Sequence, residues 1–494
     1  MTKRTRIRWS GPATARVVGE TAMHTMVAPM LAFLQAPETI TTLPHASPAI
    51  RQILAISGTP EVEGAETPKE TALGLLRFAA EVEHALLVQY IYAASSLFAG
   101  AGGGVNPASK LMLVAEQEMG HLISVQNLLL SVGGPAEFYF GRDSIRATNP
   151  ENPIPFALEP ISHESLAKYV VVEMPGEIPD PALRDRVAKL TVIATQAAGM
   201  TPHRVGALYA KLFWLFQPDD NPRPPLNLTP APDLGLMPGW HIKPADFVDG
   251  NTIKNYQADR QTWVRGSTVN FLLSEVTNAD SALSLINDIS QQGEGLGSAH
   301  DSHFFDFLDI LTKFEANQLV VTALPVTPVA RTAPAPDAKQ TTPITTPYAK
   351  LWAELFDFRY NFLLLDLWHA MATSTQLQLR SDLIDLAYTN MGFINEITQH
   401  LLELRTQLNA TDPAPPFALM SEDLPETNQL RWQRHQRLLL AQGEVVHAIQ
   451  QSPEFQDCSG GQCDILDFNG SITLQNIATS DQTRQALIHA GLAS

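Results

Sequence analysis

The stretch LMLVAEQEMGHLISVQNLLLSVGG, Leu111 to Gly134, decides how this chain is read. Leu111, Val114, Ala115, Leu122, Val125 and Leu129 recur at three- and four-residue steps, the period of a buried helical face. Gly133, Gly134 and Pro135 form an ordinary helix stop. Glu118 and His121 stand on the same apolar face, three residues apart. A carboxylate and an imidazole in an apolar stripe cost free energy unless they are paired or hold a metal. Glu-x-x-His inside a helical bundle is the spacing of carboxylate-bridged di-metal sites. On an isolated helix the same spacing is more often a surface or capping arrangement, so the neighbouring helices have to decide.

Immediately upstream, Thr67 to Phe98 is expected to be a long helix. Thr67 can cap it, Pro68 suits its first turn, and Glu70 completes a capping-box pattern. Leu76, Ala80, Glu83, Leu87, Tyr90 and Ala94 share one face, so Glu83 and Tyr90 project together two turns apart. The glycine run Gly100 to Gly104 ends it, and the two helices should be antiparallel neighbours.

Downstream, Ser162 can cap a helix that Pro175 ends, with Leu166, Tyr169, Val170 and Glu173 on one face. The β-branched run Val170 to Val172 makes a strand the competing reading. His203 to Phe216 and Thr277 to Gly293 are helical. His303 opens a further helix carrying Phe304, Phe307 and Ile310. Glu294 and His303 are nine apart, too far for one regular face. Either a loop interrupts the helix between them or one is not a ligand, with His300 and Asp301 as substitutes.

A di-metal carboxylate bundle takes one carboxylate from each of two helices and a Glu-plus-His set from each of the other two. Glu83, Glu118 with His121, Glu173, and Glu294 with His303 supply that inventory. Tyr90 is expected beside them as a hydrogen-bond donor, with a plain core tyrosine as the alternative.

The bulk numbers narrow the alternatives. A net charge of −18 argues against nucleic acid or an anionic membrane surface as the main partner. No apolar run approaches a membrane span, and the basic start is followed by Gly11 and Pro12 rather than by a signal-peptide core. A cytoplasmic protein is the expectation. Two cysteines, Cys458 and Cys463, exclude a disulfide framework or a four-thiolate zinc site. They are read as quiet thiols, with a small-loop disulfide as the alternative. No dinucleotide fingerprint, Walker loop, nucleophile elbow or His-Glu-x-x-His occurs.

The segments AAEVEHALLVQYIYAASSL, AEQEMGHLISVQNLLLSVGGP, QQGEG and DSHFFDFL resemble the ferritin-like iminophenylpyruvate dimer synthase domain. That domain occurs in the synthases of violacein and rebeccamycin biosynthesis, which oxidatively couple two imines derived from tryptophan. The resemblance spans residues 68 to 315 and is most specific in the second helix. It maps the family's fourth-region glutamate and histidine onto Glu294 and His303. Those synthases are longer chains. The resemblance therefore implies metal-dependent oxidation of an amino-acid-like small molecule, without naming the molecule.

The expected fold class is mainly α, a ferritin-like four-helix bundle with long loops and an appended C-terminal helical region. Residues 1–66 should be an extended N-terminal arm, with a short helix near Met26 to Gln35. Residues 67–323 should be the di-metal domain and 324–347 a proline-rich linker. Residues 348–494 should be helices packing on the core: Tyr348 to Thr373, Ser381 to Leu408 and Gln429 to Gln450. A short strand pair is expected within Ile465 to Thr473. Pro218 to Pro244 reads as a lid or surface loop. The functional expectation is a non-haem di-iron oxidase or oxygenase using dioxygen and a small-molecule substrate, with two irons, or manganese in their place. A homodimer and an upstream amino-acid oxidase are compatible partners. The alternative is a non-catalytic ferritin-like protein that binds or handles iron.

Overall fold

The computed structural model describes residues 7–10, 48–97, 106–141, 156–218, 223, 228–265, 271–294, 302–330, 341–420, 425–455 and 468–493. It is a mainly α protein. In chain order the described elements are β1 (Ile7–Ser10), α1 (Pro48–Ser57), β2 (Thr59–Val62), α2 (Pro68–Ser95), α3 (Pro107–Gly133), α4 (His163–Val172), α5 (Pro181–Ala198), α6 (Val205–Phe216), α7 (Ala279–Glu294) and α8 (His303–Glu315). Two-residue strands β3 (Pro328–Val329) and β4 (Thr342–Pro343) follow. Then come α9 (Pro347–Met371), α10 (Leu377–Gln407), α11 (Asn428–Gln451) and α12 (Phe468–Ala493).

Helices α2 and α3 form the spine. The Thr67 side chain caps α2 by accepting from the Glu70 amide at 3.1 Å. The reciprocal bond of a capping box is displaced by one residue, because Glu70 Oε2 accepts from the Glu66 amide at 2.7 Å. Asn106 caps α3 through the Ala108 amide at 3.0 Å. Arg77, near the start of α2, pairs with Glu137, just past the end of α3, so the two helices run antiparallel.

Both helices are buried around most of their circumference because they have neighbours on two sides. On one side, α4 packs on α8 and α6 packs on α7. Each of these two sides of the bundle is thus built from two shorter helices. On the other side lie α9 and α10, paired with each other and joined by α11 and α12. His84 of α2 bridges to this layer, with its ring nitrogens on the Phe140 carbonyl and the Tyr360 hydroxyl.

The β-branched run Val170 to Val172 is helical. Ser162 caps α4 by accepting from the Ser165 amide at 3.1 Å, and burial of the run outweighs its modest strand preference. The end of the chain corrects the sequence reading. Residues 468–473 belong to the long helix α12, not to a strand pair, and α12 packs on α10 and α11. Helix α5, capped by Asp180, was not anticipated. Within the proline-rich segment, residues 228–243 are held down by buried Leu228, Ala231, Leu236 and Ile242. The expected helix near Met26 to Gln35 and both cysteines lie outside the described residues.

The C-terminal helices carry charge in a dry interior. Arg484 makes a two-point contact with Asp366 at 2.6 and 2.7 Å, and both side chains are fully buried. Arg359 holds Asp481 at 2.8 and 3.0 Å. Asn390 donates to Asp366 at 2.9 Å, so the buried carboxylate is paired and hydrogen-bonded.

Candidate metal centre

Five of the six expected ligands converge between the spine and its α4, α6, α7, α8 side. Glu83 comes from the middle of α2, and Glu118 and His121 from the middle of α3. Glu173 is the first residue past α4, and His303 is the first residue of α8. The last two stand where the third and fourth sides of the bundle break, which explains why neither falls on a long periodic face. All five are at most 2% exposed. Helix α7 ends at Glu294 and α8 starts at His303, so the helix is interrupted between them. The Glu294 side chain, His300 and Asp301 lie outside the described residues.

Among the described residues, two groups can each offer three ligand atoms within 4.8 Å of one another: Glu83, Glu118 and His121, and Glu118, Glu173 and His303. Glu118 belongs to both. His121 Nδ1 lies 2.9 Å from Glu118 Oε2 and 3.3 Å from Glu83 Oε2. His303 Nδ1 lies 3.1 Å from Glu118 Oε1 and 3.9 Å from Glu173 Oε2. Between them is a cavity of about 10 Å³, lined also by Leu86, Val205, Tyr209 and Ile289. That is room for roughly one water-sized sphere.

The outward nitrogens settle the tautomers. His121 Nε2 faces Gln292 Oε1 at 3.0 Å, and His303 Nε2 faces Gln117 Oε1 at 2.9 Å. An amide oxygen only accepts, so each Nε2 carries a proton and each Nδ1 faces carboxylates, where it either carries a second proton or gives its lone pair to a metal ion. Lone pair against carboxylate is repulsive unless a cation, either a proton or a metal ion, lies between them. Glu118 Oε1 and His303 Nδ1 meet at 3.1 Å, the closest approach of the second ligand group. Carboxylate oxygens and imidazole nitrogens in this arrangement suit first-row divalent ions.

The electrostatics favour a cation among these groups. Burial, followed by the Glu118 charge, pushes the Glu83 carboxyl up to about 8 and that of Glu173 up to about 7. Burial also opposes ionisation of Glu118, but His303 and His121 outweigh it and hold this carboxyl well below the usual range. His121 is disfavoured as a cation by burial, yet its bonds to Glu118 and Glu83 raise it to about 10.

Tyr90 donates to Glu173 Oε1 at 2.6 Å rather than to Glu83. It is packed against Tyr169 and Phe307, with ring centroids at 5.0 and 4.8 Å. The donor to Glu83 is Tyr209 of α6, which the sequence reading did not single out. Gln117 and Gln292 were also missed. Gln117 could have been found, since it lies beside Glu118 and one turn before His121. Tyr209 and Gln292 depend on how α6 and α7 dock. Gly293 lies against Glu173, and a Cβ there would be in van der Waals contact with Glu173 Oε2 at 3.4 Å.

Comparison with known proteins fits this architecture. A ferritin-like family model matches residues 76–221. A segment of 138 residues is 33% identical to 2-imino-3-(indol-3-yl)propanoate dimerase of Chromobacterium violaceum, covering 22% of this chain and 13% of that protein. The match thus spans only a small part of the relative's length. No solved structure matches significantly. Residues 76–221 are thus similar to ferritin-like domains, and the mainly helical architecture agrees with that likeness.

Proposed function

We propose that this ferritin-like domain is a di-metal oxidase acting on an amino-acid-derived small molecule. The observation that carries the reading is Glu118, one carboxylate shared by two buried three-ligand groups. Glu83, Glu118 and His121 would hold one ion, and Glu118, Glu173 and His303 the second, with Glu294 as the remaining candidate ligand. The ions are iron, with manganese able to take the same oxygen and nitrogen donors. When bound, such ions supply Lewis acidity and redox equivalents for dioxygen-dependent oxidation.

The chain's own residues do the rest. Tyr209 and Tyr90 fix the free oxygens of Glu83 and Glu173 by donating to them. Gln117 and Gln292 fix the two imidazoles with Nδ1 inward. Leu86, Val205 and Ile289 exclude bulk water from the ligand atoms.

The named relative acts on an imine of an indole amino acid, which supports an imine-type substrate here, delivered by an amino-acid oxidase. The test is dioxygen uptake by iron-loaded protein with the imine generated in place from tryptophan by such an oxidase, after peroxide and basal uptake are subtracted. The reading expects substrate-dependent uptake that disappears in His121→Ala. Iron binding without any substrate-dependent uptake across imines of several amino acids would favour a non-catalytic iron-handling protein instead.

A further inference from the structure

The metal cavity has room for little more than one water, but a much larger cavity lies on the other side of the spine. It occupies about 360 Å³ between the α2–α3 pair and the α9–α10 pair. Interiors are close-packed and seldom leave voids larger than a water, whereas small-molecule sites run from about 300 Å³ upward. Its wall is apolar, with Leu87, Ile91 and Met119 on one side and Leu363, Leu367 and Met391 on the other. Met119 and Met391 are polarizable and adaptable, suited to varied apolar shapes. On α3, Met119 points about a quarter turn away from Glu118, so the cavity and the metal ligands use different faces of the same helix.

Two features mark an entrance. Gly392, in the middle of α10, lines both this cavity and an open groove of about 740 Å³ between α10 and α12. A Cβ there would meet nothing within 4 Å, so this glycine keeps a gap and is not there to let two elements approach closely. The groove is acidic, with Asp382 and Glu396 on its wall beside Asp385, which is paired with Arg265 at 2.7 Å. Glu116 stands in the cavity wall and is exposed, the one carboxylate among its lining residues.

We propose that this cavity binds a small molecule with an apolar, ring-sized body and a cationic amine head, the body between the two helix pairs and the amine at Glu116. The acidic groove concentrates cations at the entrance, and the carboxylate of Glu116 selects the amine over a neutral or anionic head of the same shape. The site is separate from the metal centre and stands or falls independently of the oxidase reading.

The test uses 1-naphthylmethylamine, 1-naphthalenemethanol and 1-naphthoic acid with the full chain, titrated calorimetrically at pH 7. The amine should bind at least fivefold more tightly than the alcohol, and the acid weakest. Glu116→Gln should abolish the preference for the amine while retaining alcohol binding. Leu363→Trp should fill the cavity and weaken all three at least tenfold. Gly392→Leu, which adds a better helix former at an exposed position, should keep or raise the melting temperature and slow association. Metal content should be unchanged in all three variants. No binding of the amine up to millimolar concentration would overturn the proposal. So would binding that folded Leu363→Trp and Gly392→Leu leave unaltered, or a preference for the amine that survives Glu116→Gln.

Discussion

Loading the metal centre should expel protons, and their number can be worked from the ligand environment. Burial and the Glu118 charge push Glu83 up to about 8 and Glu173 up to about 7, and the neighbouring carboxylates raise His121 to about 10. At pH 7 Glu83 and His121 are therefore held mainly protonated and Glu173 partly so, while Glu118 is ionised and contributes none. Metal coordination requires the carboxylates ionised and the His121 Nδ1 lone pair free, so about two protons leave per loaded site. The sign follows. Protons and metal compete for the same atoms, so apparent affinity rises with pH. The rise is steepest below about 8, where Glu83 and Glu173 are still largely protonated, and at pH 9 the release falls toward about one. Anaerobic titration with Mn²⁺ in buffers of different ionisation enthalpy measures the number directly. Absence of proton release at pH 7, or an affinity flat from pH 6 to 8, would refute the reasoning that protons now stand where cations belong.

Tyr209→Phe removes the hydroxyl that donates to Glu83 Oε1 and leaves that oxygen buried. Metal affinity should fall roughly tenfold with helix content retained, as measured by competition with a chelator; unchanged affinity would remove Tyr209 from the support of the site. In the C-terminal helices, Arg484→Met leaves Asp366 fully buried without its counter-charge and should cost about 3–5 kcal/mol. Urea unfolding would report this, and the added change Asp366→Leu should recover most of the loss.

How much of this was legible in the sequence depends on whether a feature is local. Glu118 and His121 are three apart on one helix, Glu83 sits on the preceding helix at matching depth, and the helix caps at Thr67 and Ser162 are short-range chemistry. Periodicity alone therefore brings out the spine and three of the candidate ligands. Glu173 and His303 sit at helix ends, where a periodic pattern stops, so only the inventory pointed to them. Tyr209 and Gln292 reach the site because α6 docks on α7 against the spine, a relation between segments about 80 residues apart. Helix α12 was misread because its β-branched residues and Gly470 suggest a strand and a turn, whereas packing on α10 and α11 decides its state. Both bodies share the same buried α2 and α3, and for that reason those helices read as apolar nearly all round instead of as two-faced.

The central claim is that one carboxylate is shared by two ions. Its most direct measurement is the metal content of protein loaded anaerobically with Fe²⁺ and freed of excess, for wild type, Glu118→Ala and Glu116→Ala. The account predicts about two irons per chain in wild type and in Glu116→Ala, and less than one in Glu118→Ala, because losing the shared ligand weakens both positions together. No tightly held iron in wild type, or two irons still held by Glu118→Ala, would contradict it.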